Sequence, residues 1–240
     1  MLHNKKLKNG DINLLSQSNK IDNVMKISDP YTIFAINNSI DKIIYNQLSD
    51  EYPSLKDIIL YEKKLNINNN LLYSNHRCQI TISSSEQISN IFSPIWKMFL
   101  EYHLSNTFIE NIINKLNISI YDISNIIIEI SIGYNLPVFY EDIPHTEDLT
   151  NDTICQGWFF IRNDNDNSKG GHLELNYNKF NKKNEFVTSK ITTIPYQKNC
   201  FVILHNQIKD KYDSVSFSFT KRQISINTHR YLIFKLKLKP

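Results

Sequence analysis

Three cysteines, five glycines and seven prolines in 240 residues are few, and each shortage excludes something. Cys78, Cys155 and Cys200 lie far apart and are odd in number, so they match neither a zinc-binding spacing nor a secreted disulfide framework. No stretch approaches about 18 unbroken apolar residues, and no leading apolar segment of the signal-peptide kind is present. These absences predict a cytoplasmic protein with no membrane partner. Charge of one sign is also lacking: 27 basic and 24 acidic residues leave a net +3, which points to no nucleic-acid partner. Arginine is the scarcest charged type, with only Arg77, Arg162, Arg222 and Arg230 beside 23 lysines. The asparagine-rich runs at 66–70 and 163–167 carry no functional weight on composition alone.

What is present is enough apolar residue for a core. A 41% hydrophobic chain of this length suits one well-cored domain. Residues 1–26 are polar and patternless and read as a flexible or loosely attached lead, leaving 27–240 as the domain. Residues 31–35 are strand-like. Ile40, Ile43, Ile44 and Leu48 have helical spacing, as do Ile88, Ile91, Phe92, Ile95, Met98 and Phe99, where Pro94 predicts a kink or a break. Thr107 and Glu110 suit a capping box for a helix ending near Leu116. After residue 121 the period changes to two. Strands are predicted over 126–134, 137–141, 155–162, 172–177, 190–194, 200–205, 214–219, 223–227 and 230–238. Lys235, Lys237 and Lys239 alternate with Leu236 and Leu238, which reads as the wet face of a strand. Helices first and strands afterwards give an α+β class.

The residues that carry chemistry begin at His145-Thr146-Glu147. An imidazole and a carboxylate two residues apart on an extended backbone point to one face, so both can reach one metal ion. They would supply two of the three ligands of a two-histidine, one-carboxylate iron site, which leaves open positions for cosubstrate and oxygen. Trp158-Phe159-Phe160-Ile161-Arg162 and Gly170-Gly171-His172-Leu173-Glu174-Leu175, separated by an Asn/Asp/Ser cluster, read as two strands joined by a turn.

This order resembles the Fe(II)/2-oxoglutarate-dependent oxygenase family, and within it the prolyl-hydroxylase-like bacterial members. Asn199-Cys200-Phe201-Val202-Ile203-Leu204 looks like the penultimate core strand of that family, and Lys211-Tyr212-Asp213-Ser214-Val215 stands in the place of its Ser-Tyr-His-Gly-Val. Thr228-His229-Arg230-Tyr231-Leu232 resembles the stretch whose arginine grips 2-oxoglutarate. Upstream, Asp29 to Phe34, Tyr45 to Leu48 and Glu51-Tyr52-Pro53 are similar to its first strand and helix, and Asn75-His76-Arg77 and 96–103 to its helical support. The likeness spans about residues 28 to 240.

The resemblance implies a double-stranded β-helix, or jelly roll, in 121–240 with helical support in 27–120. It implies hydroxylation of a small molecule or peptide, with Fe(II) as cofactor and 2-oxoglutarate as cosubstrate. His145, Glu147 and Asp213 would hold the metal, and Arg230 or Arg222 would grip the far carboxylate of 2-oxoglutarate. The C-terminal context favours Arg230, and spacing from Asp213 favours Arg222; a planar guanidinium suits either, because it pairs with two oxygens at once.

One departure from the family pattern sets the alternatives. Asp213 stands where the family has its second histidine, leaving one imidazole and two carboxylates, a harder set that shifts preference toward Mn, Mg or Ca. Asp213 is then a working ligand, or His172 or His205 replaces it, or the site is degenerate in a binding or scaffold protein that keeps the fold. A carboxylate-rich divalent site serving as a Lewis acid, outside oxygenation, is the remaining alternative. Substrate identity would be set by residues 148–153 and by the helical half.

Overall fold

Among the described residues, short helices and strands alternate before residue 120 and strands predominate after it. The computed structural model describes residues 9–17, 24–27, 32–65, 77–119, 122–135, 152–162, 164–166, 171–180, 183, 185–205, 214–219 and 229–239. Strands β1 (Val24–Ile27) and β2 (Ile33–Asn37) precede helices α1 (Lys42–Asp50) and α2 (Leu55–Leu65). Strand β3 (Arg77–Ile82) follows, then α3 (Pro94–His103) and α4 (Asn106–Leu116). The remaining strands are β4 (Ile126–Asn135), β5 (Thr153–Phe160), β6 (Leu173–Phe180), β7 (Phe186–Ile194), β8 (Cys200–His205), β9 (Ser214–Phe219) and β10 (His229–Leu238).

Every pairing among these strands is antiparallel. They form a seven-stranded sheet in the order β1-β2-β8-β5-β10-β4-β3 and a three-stranded sheet in the order β7-β6-β9. The alternation of each strand decides what it faces. In the large sheet Phe34, Ile36, Phe159, Phe201, Ile203, Leu232, Phe234 and Leu236 point to one side, where they pack with the helices. Ile33, Ala35, Trp158, Phe160, Val202, Leu204, Tyr231 and Ile233 point to the other, where they meet Leu173 and Leu175 of β6 and Ile194 of β7. The molecule therefore has three layers: helices, the large sheet and the small sheet.

Local chemistry explains the helix bounds, and it moves two of them from where the sequence pattern puts them. At α1 the Asp41 carboxylate accepts from the Ile43 amide at 2.8 Å, an N-cap that starts the helix. Pro94 neither kinks nor breaks a helix: it is the first residue of α3, where its missing N–H costs nothing. The cap of α4 is Ser105, whose hydroxyl oxygen accepts from Phe108, so Thr107 lies inside the helix. That helix stops at Asn117, which takes a left-handed φ of 53°.

Other differences concern strands. Arg77, grouped with helical support by its sequence context, opens β3; Cys78, Ile80 and Ile82 are buried and Gln79 and Thr81 exposed, an alternation of period two. β5 and β6 are not a hairpin, because β5 lies in the large sheet and β6 in the small one. The predicted strands at 137–141 and 223–227 lie outside the described residues. Within the polar lead, Ile12 and Leu14 are fully buried, and the Leu14 amide donates to His103 Nε2 on α3.

Candidate functional site

The surface between the sheets is set by strand register, and three cross-strand rows describe it. One runs Ala35, Val202, Trp158, Ile233, Ser131, Thr81. A second runs Ile33, Leu204, Gln156, Lys235, Glu129. A third runs Tyr231, Gly133, Gln79. The first row is apolar from β2 to β10 and polar over β4 and β3, whereas the second turns polar already at Gln156 of β5. The small sheet covers the apolar half through Leu173, Leu175 and Ile194. That face of the large sheet thus passes from a dry wall to hydrogen-bonding groups.

The polar half is ordered by side-chain bonds. The Tyr231 hydroxyl donates to Gln79 Oε1 at 2.8 Å, and the Thr81 and Ser131 hydroxyls lie 2.9 Å apart. Gly133 makes this close packing possible. A Cβ there would lie 2.2 Å from the Cys78 carbonyl oxygen and 2.7 Å from the Tyr231 hydroxyl. Lys237 bonds Glu129 at 2.7 Å, with side chains 22% and 27% exposed, so the lysine face of β10 is only partly wet at this point and opens to water at Lys239.

Of the residues singled out in the sequence, His145, Glu147, Asp213 and Arg222 lie outside the described residues. Arg230 is described, and its contacts belong to the helical layer. It alternates with Leu232 and Phe234, and its Nη1 donates to the Ser49 carbonyl in the last turn of α1 at 2.5 Å. Its guanidinium also sits 4.9 Å from the centre of the Tyr52 ring. A cation at a helix C-terminus satisfies a free carbonyl and opposes the helix dipole. Around the same end, Trp96 Nε1 donates to the Leu48 carbonyl and the Tyr134 hydroxyl to that of Pro53.

Arg162, just after β5, staples the turn that follows it. Its Nη2 and Nε donate to the Asp166 carbonyl and its Nη1 to that of Tyr196, over whose ring it lies at 5.2 Å. The two spare histidines do not converge. His172 Nδ1 accepts from the Tyr196 amide at 3.3 Å. His205 is buried at the end of β8 in phase with Phe201 and Ile203, so it faces the helical layer, and burial lowers its pKa and keeps it neutral. Among the described residues no three His, Cys, Asp or Glu side chains are grouped to hold a metal ion. Cys78, Cys155 and Cys200 are buried and form no disulfide, and burial raises the Cys155 thiol well above its ordinary range and Cys200 to about 12, which makes these two unreactive.

Sequence reasoning missed Gln156 and the direction of Lys235. A lone amide inside Cys155 to Phe160 was the available signal for the first, and the phase shared with Tyr231 and Ile233 for the second.

No protein-family model matches the chain, and no curated protein does. Solved structures do. A prolyl hydroxylase from Trichoplax adhaerens, solved with a hypoxia inducible factor peptide fragment, is 12% identical, with 98% of this chain and 96% of that one covered and a TM-score of 0.51. A prolyl-4-hydroxylase from Pseudomonas putida is 10% identical over 88% of this chain and 95% of that one, at 0.47. An IDO from Bacillus thuringiensis is 13% identical over 87% and 90%, also at 0.47. At such identities the likeness to the Trichoplax enzyme is one of fold. Among the described residues no helix is long and apolar enough to cross a membrane.

Proposed function

We propose that the protein is an Fe(II)- and 2-oxoglutarate-dependent oxygenase that hydroxylates a C–H bond of its substrate. One observation carries this reading: two antiparallel sheets packed over an apolar wall, backed by helices, match the Trichoplax prolyl hydroxylase fold along 98% of the chain. The colinear motifs from His145 to Val215 agree with it. In this reading the two sheets are the halves of a double-stranded β-helix.

The donor set is compatible with a divalent cation: one imidazole and two carboxylates, softer than a calcium site and harder than a two-histidine iron site. His145, Glu147 and Asp213 would hold the metal. Bound Fe(II) with 2-oxoglutarate supplies the oxygen activation that a protein side chain cannot. The chain itself contributes positioning and exclusion of water. Val202, Leu204, Trp158 and Ile233 provide a wall that keeps the space between the sheets dry. For the far carboxylate of 2-oxoglutarate the anchor is Arg222, because the guanidinium of Arg230 is committed to Ser49 and Tyr52.

Anaerobic titration with Fe(II) and then 2-oxoglutarate, followed by the visible absorbance of their chelate, tests the reading, with succinate release under oxygen as the second readout. Chelate absorbance and succinate together support it. A folded protein that binds neither refutes it in favour of a binding protein on the same fold; bound Mg or Mn without succinate refutes it in favour of Lewis-acid chemistry. Asp213→His is expected to tighten Fe(II) binding, and unchanged affinity in a folded variant would remove Asp213 from the metal set.

A further inference from the structure

We propose that Cys155 and His205 form a two-ligand site for a soft monovalent cation of the Cu(I) kind, on the helical face of the large sheet. The two residues are register partners across β5 and β8. Directly opposed side chains in an antiparallel pair stand about 5 Å apart at Cβ on one face, so a sulfur and a ring nitrogen can reach one ion. Cys155 is fully buried and His205 is 7% exposed, and the imidazole Nδ1 has no hydrogen-bond partner among the described residues. A buried polar atom left unpaired costs free energy. With the ring proton on Nε2, the lone pair of Nδ1 is a metal ligand.

The sulfur is prepared for the same role. Burial opposes the free thiolate, while a hydrogen bond from the Leu236 backbone favours it. A cation that replaces the thiol proton removes the penalty of burial: M+ and Cys–SH give Cys–S–M and H+, and the neutral imidazole completes an uncharged centre. A divalent ion on the same pair would leave a net positive charge in an apolar layer, which is costly. Zinc also calls for four ligands, and no third His, Cys, Asp or Glu joins the pair among the described residues. A thiolate beside an imidazole selects Cu(I) instead. Ile203 and Leu236 flank the pair on the same face and keep water out. The register of β5 with β10 shifts between Leu236 and Lys237, which leaves Ile154 with no residue opposite. Such a bulge disrupts the ladder next to Cys155 and gives an ion its way in.

The site does not rest on the oxygenase reading, whose dry wall is the opposite face of the large sheet. The reduced full chain is titrated with Cu(I) under argon against a chromogenic Cu(I) chelator, and the X-ray absorption of the loaded protein is recorded. One ion should bind with release of one proton, and its first shell should hold one sulfur and one nitrogen. Excess Zn(II) should not displace it. Cys155→Ser and His205→Gln should each weaken binding more than about a hundredfold, beyond what loss of an outer partner brings. Cys78→Ser and Cys200→Ser should bind as the parent does. Nitrogen-15 NMR of the parent with Ag(I) gives the same answer if a ligand variant fails to fold: the His205 Nδ1 resonance should shift and that of His103 should not. A chain that takes up no Cu(I), a shell of two sulfurs, a His205 ring unmoved by Ag(I), or a folded Cys155→Ser that binds as tightly as the parent overturns the proposal.

Discussion

His103 makes the fold acid-labile, and the size of the effect follows from its surroundings. The imidazole is fully buried in α3, packed against Phe99, Tyr102, Phe108 and Phe234. Its Nδ1–H donates to the Phe99 carbonyl at 2.7 Å, and its Nε2 accepts from the Leu14 amide at 3.4 Å, so the ring is needed neutral. Burial pushes its pKa down to about 3. In the unfolded chain the ordinary value is about 6.5. The unfolded state therefore binds more protons between these values, and stability falls as pH drops through that window. At about 1.4 kcal/mol per pH unit, the loss between neutrality and pH 5 is about 2 kcal/mol, and this figure holds for any native pKa well below 5. The comparison is with His103→Gln, which can make both bonds and does not titrate. Urea unfolding of both proteins at pH 7.5, 6 and 5 isolates this group from the carboxylates. The parent should lose about 2 kcal/mol more than the variant by pH 5. A difference that stays constant with pH would refute the burial argument.

Arg230→Met should cost about 2 kcal/mol in denaturant unfolding by leaving the Ser49 carbonyl without its cation, with 2-oxoglutarate affinity unchanged; a tenfold weaker cosubstrate affinity at unchanged stability would show that the helix-end role is mistaken. Gly133→Ala should cost about 3 kcal/mol, read in the same experiment, because the new Cβ meets the β3 backbone at Cys78, and a neutral result would mean that β3 yields freely. Asn199 has a left-handed φ of 55° and is buried; its amide accepts from Ile40 N and Ser39 Oγ and donates to the Ile40 carbonyl. Asn199→Ala should therefore cost about 3 kcal/mol and Asn199→Gly less, with equal losses showing that the backbone conformation contributes nothing.

The strands after residue 121 were legible because a period of two survives wherever one face of a strand is buried and the other is not. The bounds of β8 and β9 coincide with the predicted 200–205 and 214–219. β3 carries the same pattern in Cys78, Ile80 and Ile82, and it was obscured by reading its neighbourhood as helical. Pairing was not legible, since nothing local in β2 says that it lies beside β8. Nor was the direction of Arg230. In β10 one phase holds Arg230, Leu232, Phe234 and Leu236, and the other Tyr231, Ile233 and Lys235. Both phases are largely apolar because both faces of the large sheet are covered, so the sequence could not tell which phase met the helices. His145 and Glu147 share a single signal, their spacing, which fixes a common face without fixing a third partner; Asp213 rests only on its place in the family resemblance.

β10 lies between β5 and β4, and they bond to each other only through it. Of the described strands it is the last to leave the ribosome, so until residues 229–238 emerge the large sheet exists as two fragments, each with a raw inner edge. Assembly must then wait for synthesis to pass this point, and closing it requires contacts between distant stretches of chain, which slows the search. A chain halted before β10 would leave both of those edges unpaired, and an unpaired strand edge is where another chain can add itself.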